Sequence, residues 1–170
     1  MGTDLPGTNF PRQFRHVLST FCSGVTVVTA ATGTTAEPGI AGLTCQAFFS
    51  VSIDPPYVAF SVSATSTSFP PIRAAGQCCV NVLAADQEAV SSGFGRSGAD
   101  KWRGITWQAS PALGNPVIDG VLSWIDCTIE AEHEAGDHAI VIGRIVDMSV
   151  ERDTAPLLFH RGGYAQLVRR

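Results

Sequence analysis

Charge is scarce in this 170-residue chain: Asp, Glu, Lys and Arg together make up 15%, and the formal net charge is −4. No stripe of Lys and Arg is present to neutralise phosphates, which excludes a nucleic-acid footprint. Arg169 and Arg170 form only a short basic tail. Apolar residues reach 45%, yet no run of 18 exists, so no membrane-crossing helix is expected. Residues 1–6 lack the basic region and apolar core of a signal peptide, and Pro6 stands where a myristoylation motif needs Ser or Thr. No Asn-x-Ser/Thr sequon occurs. The five cysteines (Cys22, Cys45, Cys78, Cys79, Cys127) are odd in number and include no C-x-x-C. Set in apolar runs, they are expected to be buried, reduced thiols in a cytoplasmic protein. There is no G-x-S-x-G elbow and no Ser or Cys with a recognisable partner set, which argues against nucleophilic catalysis. A surface poor in charge and rich in small and apolar residues points to coverage by another subunit.

What is present reads as mostly β. Phe10, Phe14, Val17, Leu18 and Phe21 fall at helical spacing, with Asn9 as a cap candidate and Pro11 in the first turn. This predicts one amphipathic helix ending near Ser23-Gly24. Strands are expected at Val25–Ala30, Ile40–Leu43, Tyr57–Val62, Cys78–Leu83, Val121–Ala131 and His138–Val150. Short helices are expected at Ser66–Ala75, closed by Gly76, and at Ala85–Ser92. Glu134 to Asp137 has hairpin composition, and Leu157–His160 and Tyr164–Val168 flank Gly162-Gly163. Short strands and tight turns argue for an antiparallel barrel with helical additions.

Gly93-Phe94-Gly95-Arg96-Ser97-Gly98 spells G-x-G-x-x-G. A dinucleotide fingerprint needs a strand before it and a helix opening on its last glycine. Here a helix precedes it and 99–104 has no helical period, so a Rossmann site is set aside. His133 and His138 bracket the Glu-Ala-Gly-Asp turn but lack a third spaced ligand, and no metal site is expected. Two segments look suited to a nucleotide cofactor. In Gly42 to Pro56, small and hydroxylated residues interrupt the β pattern, leaving backbone N–H groups free for a flavin ring whose charge changes on reduction. Ser63 to Ser68 places hydroxyls at a helix start, which suits a phosphate. Composition alone favours an ordinary Ser/Thr-rich loop for the first and simple capping for the second.

Order and spacing add a further signal. Phe14-Arg15 and Phe21 to Thr29 open the chain, followed by Gly42 to Pro56, Cys79 to Gln87 and Asp100-Lys101-Trp102. Ala135-Gly136-Asp137-His138, Ile142-Gly143 and Pro156 to Tyr164 close it. This ordered set resembles the short-chain flavin reductases of two-component flavin monooxygenases, the flavin-reductase-like split-barrel family. The resemblance implies a mainly β (α+β) fold: a six-stranded antiparallel split β-barrel with flanking short helices, of the FMN-binding split-barrel type. It implies one domain over 1–170 with a flexible lead at 1–9, and FMN or FAD held at a homodimer interface. Carried over by position, Thr44, Cys45, Gln46, Ala47, Ser50, Val51 and Ser52 would surround the isoalloxazine. Ser61, Thr65, Ser66 and Ser68 would lie along the ribityl phosphate, and Phe94 and Lys101 match the family's aromatic and basic contacts. His138, in the G-D-H signature, would act at the nicotinamide, with Arg161 and Tyr164 of R-G-G-Y lining the same pocket. Pro70-Pro71 interrupt a helix that relatives run more smoothly.

The implied reaction is hydride transfer from NADH or NADPH to FMN or FAD, with reduced flavin passed to a separate monooxygenase. The absence of a basic cluster for a 2′-phosphate leans to NADH. Rival readings are a flavin carrier without turnover, a split-barrel relative using another cofactor, and a β-barrel interaction module. The Gly136 to His138 sequence favours the reductase, since a scaffold has no need of it.

Overall fold

The computed structural model describes residues 9–34, 36–98 and 100–167. Except for Asn9, the expected N-terminal lead lies outside them, as do the Arg169-Arg170 tail and the end of the strand expected to reach Val168. In chain order the elements are α1 (Phe10–Leu18), β1 (Ser23–Gly24), β2 (Thr26–Gly33), β3 (Pro38–Cys45), β4 (Phe48–Ile53) and β5 (Pro56–Ser63). Next come α2 (Phe69–Ala75), β6 (Gln77–Val82), α3 (Glu88–Phe94), β7 (Trp107–Ala109) and β8 (Pro116–Ile118). The chain closes with β9 (Ser123–Ala135), β10 (His138–Val150), β11 (Leu158–His160) and β12 (Gly163–Ala165).

The expected six-stranded barrel is corrected to a seven-stranded antiparallel sheet in the order β3-β2-β6-β9-β10-β5-β4, which does not close. The reason lies in one connection. β3 and β4 occupy opposite edges, yet only Gln46 and Ala47 separate them in sequence. Two residues span a few ångströms, so the sheet has to curl until its edges meet at that point. Away from it no ladder joins the two edges, and a seam is left open. Small sheets β1-β11-β12 and β7-β8 complete the fold.

Both faces of the curled sheet are covered, which explains the unbroken apolar runs in β2 and β6. Val28, Leu43, Phe60, Val80 and Val141 fill the inside with Phe69 and Ile72 of α2. Val27, Cys79, Leu83, Val117, Ile118 and Phe94 of α3 pack on the outside.

Several expected boundaries move for local reasons. Helix α1 stops at Leu18 rather than near Ser23, because Ser19 Oγ and Thr20 Oγ1 donate back to the His16 and Val17 carbonyls. Pro70 and Pro71 open α2 instead of interrupting it: they occupy its first turn, where a missing N–H costs nothing. Helix α3 begins three residues late, since Gln87 is buried and bridges the Ala84 N–H to the Asp119 carbonyl. Segment 42–56 is not a loop but the end of β3, a break at Gln46-Ala47, and β4, where Val51 bulges between Ser50 and Ser52. Its backbone therefore pairs with β2 before the break and with β5 after it, and Gln46 and Ala47 at the break are exposed. Four cysteines are buried as expected, but Cys22 is exposed, beyond the end of α1 where the apolar run has no core to enter.

Candidate active site

The seam opens into a cleft of about 550 Å³, within the range of cofactor pockets (roughly 300–1,000 Å³). Its floor is the β3–β4 break. Cys45 is buried there, and its Sγ donates to the Ala47 and Ser61 carbonyls at 3.6 and 3.4 Å. Burial pushes this thiol up to about 11, so it is a neutral floor group rather than a nucleophile. The Ala47 carbonyl is also taken by the Ser61 N–H at 2.9 Å, which ties the break to β5. Thr44 lines the cleft, but its hydroxyl donates to the Ser91 carbonyl at 2.6 Å and pins α3 against β3.

One end of the cleft is rich in hydroxyls and cations. Ser66, Thr67 and Ser68 line it with Arg96, Ser97 and Lys101. Ser66 Oγ accepts the Phe69 N–H at 3.2 Å, which sets the start of α2. Lys101 Nζ donates to the Gly42 and Phe94 carbonyls at 3.3 and 2.9 Å and to Ser68 Oγ at 2.7 Å, clasping β3, α3 and the approach to α2. Burial pushes its ammonium below the usual lysine value. Among the described residues neither Arg96 nor Lys101 forms an ion pair, and none lining the cleft is acidic. Two cations without counter-charge amid hydroxyls form a phosphate-selective donor set.

The other end is the two-residue turn between β9 and β10, where Gly136 takes φ +67°. It brings His138 opposite Ser63 of β5, and the Ala64 N–H donates to the Asp137 carbonyl at 2.9 Å. Asp137 Oδ1 lies 2.7 Å from His138 Nδ1, and the contact holds the Asp137 carboxyl below the usual carboxylate range. With Nδ1 held against that carboxylate, Nε2 is the ring nitrogen left for a ligand.

The structure thus gathers Thr44, Cys45, Gln46, Ala47, Ser61, Thr65, Ser66, Ser68, Phe94, Lys101 and His138 around one cleft. The Phe94 ring is almost fully buried, edge-on to Trp102 at 4.9 Å, and supports the wall from behind. Ser50, Val51 and Ser52 sit along β4 outside the cleft of the same chain. So do Arg161, exposed at φ 51°, and Tyr164, whose hydroxyl donates to Ser91 Oγ at 2.9 Å and steadies α3. Arg96 and Ser97 were missed. They belong to the glycine-rich stretch set aside as a Rossmann fingerprint; α3 precedes it, so that exclusion was sound. An arginine among glycines and serines was the available signal for a phosphate contact outside that fold.

Residues 18–168 match the family described as flavin reductase like domain. The chain belongs to this family. Among its relatives, the reductase subunit HsaB of a flavin-dependent monooxygenase from Rhodococcus jostii is 44% identical over 155 residues, covering 91% of this chain and 76% of that protein. The FMN reductase (NADH) SmoA of Agrobacterium fabrum is 39% identical over 166 residues, covering 98% and 91%. The crystal structure of nitrilotriacetate monooxygenase component B from Mycobacterium thermoresistibile superposes with a TM-score of 0.87 at 43% identity, covering 94% and 87%. In this flavin reductase-like chain the matched region contains every residue that lines the cleft.

Proposed function

We propose that the chain catalyses hydride transfer from NADH to FMN or FAD and supplies the reduced flavin to a separate monooxygenase. The observation that carries this is the polarity of the cleft: unpaired Arg96 and Lys101 with hydroxyls at one end, His138 at the other, and the bare Gln46-Ala47 backbone between. The donor set fits a flavin. Arg96, Ser66 and Ser68 would hold its phosphate with the Lys101 charge beside them, and the Gln46-Ala47 break would lie along its ring. When bound, flavin accepts the hydride that reduced nicotinamide donates. His138 presents Nε2 to the carboxamide and orients the nicotinamide; it transfers no proton. The neutral Cys45 thiol adds no competing charge beneath the ring.

The protein works as a cytoplasmic homodimer of one flavin reductase-like domain. Support comes from apolar side chains left uncovered on one copy, among them Phe21, Val51, Ile53 and Met148. No helix of the described residues is long and apolar enough to cross a membrane. Ser50 to Ser52, on the exposed strand β4, and Arg161 would act across that dimer rather than within one chain.

Loss of NADH absorbance after mixing with FMN or FAD tests the activity. Turnover with either flavin is expected, and a carrier would bind flavin without it. His138→Ala should raise the KM for NADH and leave flavin binding intact. Wild-type KM and turnover in that variant would remove the role given to His138.

A further inference from the structure

Arg96 reaches the phosphate end of the cleft from Gly93-Phe94-Gly95-Arg96-Ser97-Gly98, a stretch with three glycines. Such a backbone is costly to order, so a cation carried on it needs ties from outside. The ties converge on Ser91 of α3, which is almost fully buried. Its carbonyl accepts the N–H of Gly95, the residue before Arg96, at 3.0 Å, and the Thr44 hydroxyl at 2.6 Å. Its own Oγ accepts the Tyr164 hydroxyl at 2.9 Å, and Ser92 Oγ lies 3.2 Å from that same hydroxyl. Tyr164 stands on β12, outside the cleft, with its ring half-buried and edge-on to Phe159 at 5.5 Å.

We propose that Tyr164 is a positioning residue: through Ser91 and Ser92 it fixes α3 and so aims the Arg96 guanidinium at the flavin phosphate. The inference rests on reading the cleft as the flavin site. Thr44 ties the Ser91 carbonyl to β3 and Tyr164 ties its hydroxyl to β12, so two strands of different sheets hold one residue of α3. With a single tie the short helix could turn about it. Lys101 adds a bond at the Phe94 carbonyl, but from a longer and more flexible stem. A guanidinium meets a phosphate through two parallel N–H donors, so a small tilt of the backbone behind it loses one of them. Tyr164 lines no part of the cleft, so its effect on binding passes through α3 and is confined to ligands that carry a phosphate.

The test measures the dissociation constants of FMN and riboflavin, which differ only in the phosphate, by quenching of flavin fluorescence with the full-length protein. Tyr164→Phe removes the hydroxyl and keeps the ring against Phe159. It should weaken FMN about fivefold and leave riboflavin within about twofold of wild type. Ser91→Ala, which removes the same bond from the helix side, should give the same selective loss. Arg96→Gln should weaken FMN about tenfold. Added to it, Tyr164→Phe should weaken FMN by less than about twofold more, because the tie acts through the arginine. The KM for NADH should stay within about twofold of wild type in Tyr164→Phe. Equal losses for FMN and riboflavin, or losses that multiply fully in the double variant, would make the tie merely structural and overturn the proposal. A raised KM for NADH would overturn it too, by placing the hydroxyl at the nicotinamide. A wild-type protein that binds FMN no tighter than riboflavin, or an Arg96→Gln protein with unchanged FMN affinity, overturns the phosphate reading beneath it. An FMN affinity that falls in Arg96→Gln but survives either Tyr164→Phe or Ser91→Ala sinks only the tie.

Discussion

Lys101 is the chain's only lysine, and its three donors are spent on three different elements around the cleft. Holding it there costs hydration, which is why its pKa falls from the ordinary 10.5. The sign follows: the group is charged below its folded pKa and loses its charge as pH rises through it, earlier than an exposed lysine would. The preference for FMN over riboflavin should therefore fall on the alkaline side before pH 10.5 is reached, read as the ratio of the two dissociation constants. Because its donors are already taken, Lys101 acts on a phosphate through its charge, so Lys101→Met should weaken FMN severalfold and change riboflavin much less. Gly42 faces the same point from the other side. A Cβ there would sit 2.5 Å from Phe94 Cε1 and 2.8 Å from Cδ1. The ring is buried against Trp102 and cannot swing clear, so Gly42→Ala should cost about 1–3 kcal/mol of overpacking in urea unfolding. The resemblance singled out Lys101, and Gly42 only opened the 42–56 segment; their clasping and packing roles were not legible, because they arise from contacts between separate elements. Arg161 and Tyr164 show the converse: their motif was legible, yet neither lines this chain's cleft.

At the scale of elements, the least legible piece is the β7–β8 hairpin, where the sequence predicts no strand. Its strands have three residues each, too few for alternation to register. Buried polar groups hold it instead. Asp126 on β9 accepts from Ser110 Oγ at 2.6 Å, Leu113 N–H at 3.0 Å and Asn115 Nδ2 at 2.8 Å. Asn81 on β6 accepts the Ile118 N–H at 2.9 Å. These side chains sit in apolar surroundings where an orphaned donor is expensive, so Asp126→Ala should lower stability by about 3–5 kcal/mol as three donors lose their acceptor. Asp126→Asn keeps the shape but turns an amide toward a donor, and should cost about 1–3 kcal/mol. Both are read as a lower urea midpoint with unchanged slope. By contrast β2, β6 and β10 were legible, because residues buried on both faces or alternating over long runs leave a pattern in sequence. The end of α1 was not, since two hydroxyls, not a glycine, unwind it.

At the scale of the whole molecule, the curl that brings β3 and β4 together also leaves β4 as an edge strand. Phe49, Val51 and Ile53 point outward from it, Ile53 at 93% exposure, and no Lys, Pro or other edge guard stands among residues 48–53. An edge so apolar would pair or aggregate if left bare, and in the proposed dimer a second copy would cover it. Ser50, Val51 and Ser52 lie in the same strand and outside this chain's own cleft, where they would reach the flavin of the partner. In the proposed dimer each copy would complete the other's site, which would couple dimerisation to flavin binding. Ile53→Lys places an ammonium in the covered edge and should shift the protein from twice the chain mass to the chain mass, measured by light scattering over a dilution series. Flavin affinity should fall over the same concentrations at which the dimer dissociates, and recover at high protein concentration by mass action. An Ile53→Lys protein that stays dimeric would move the interface off β4. A monomer that binds flavin as tightly as wild type would place the whole site within one chain and return Ser50 to Ser52 to a purely structural role.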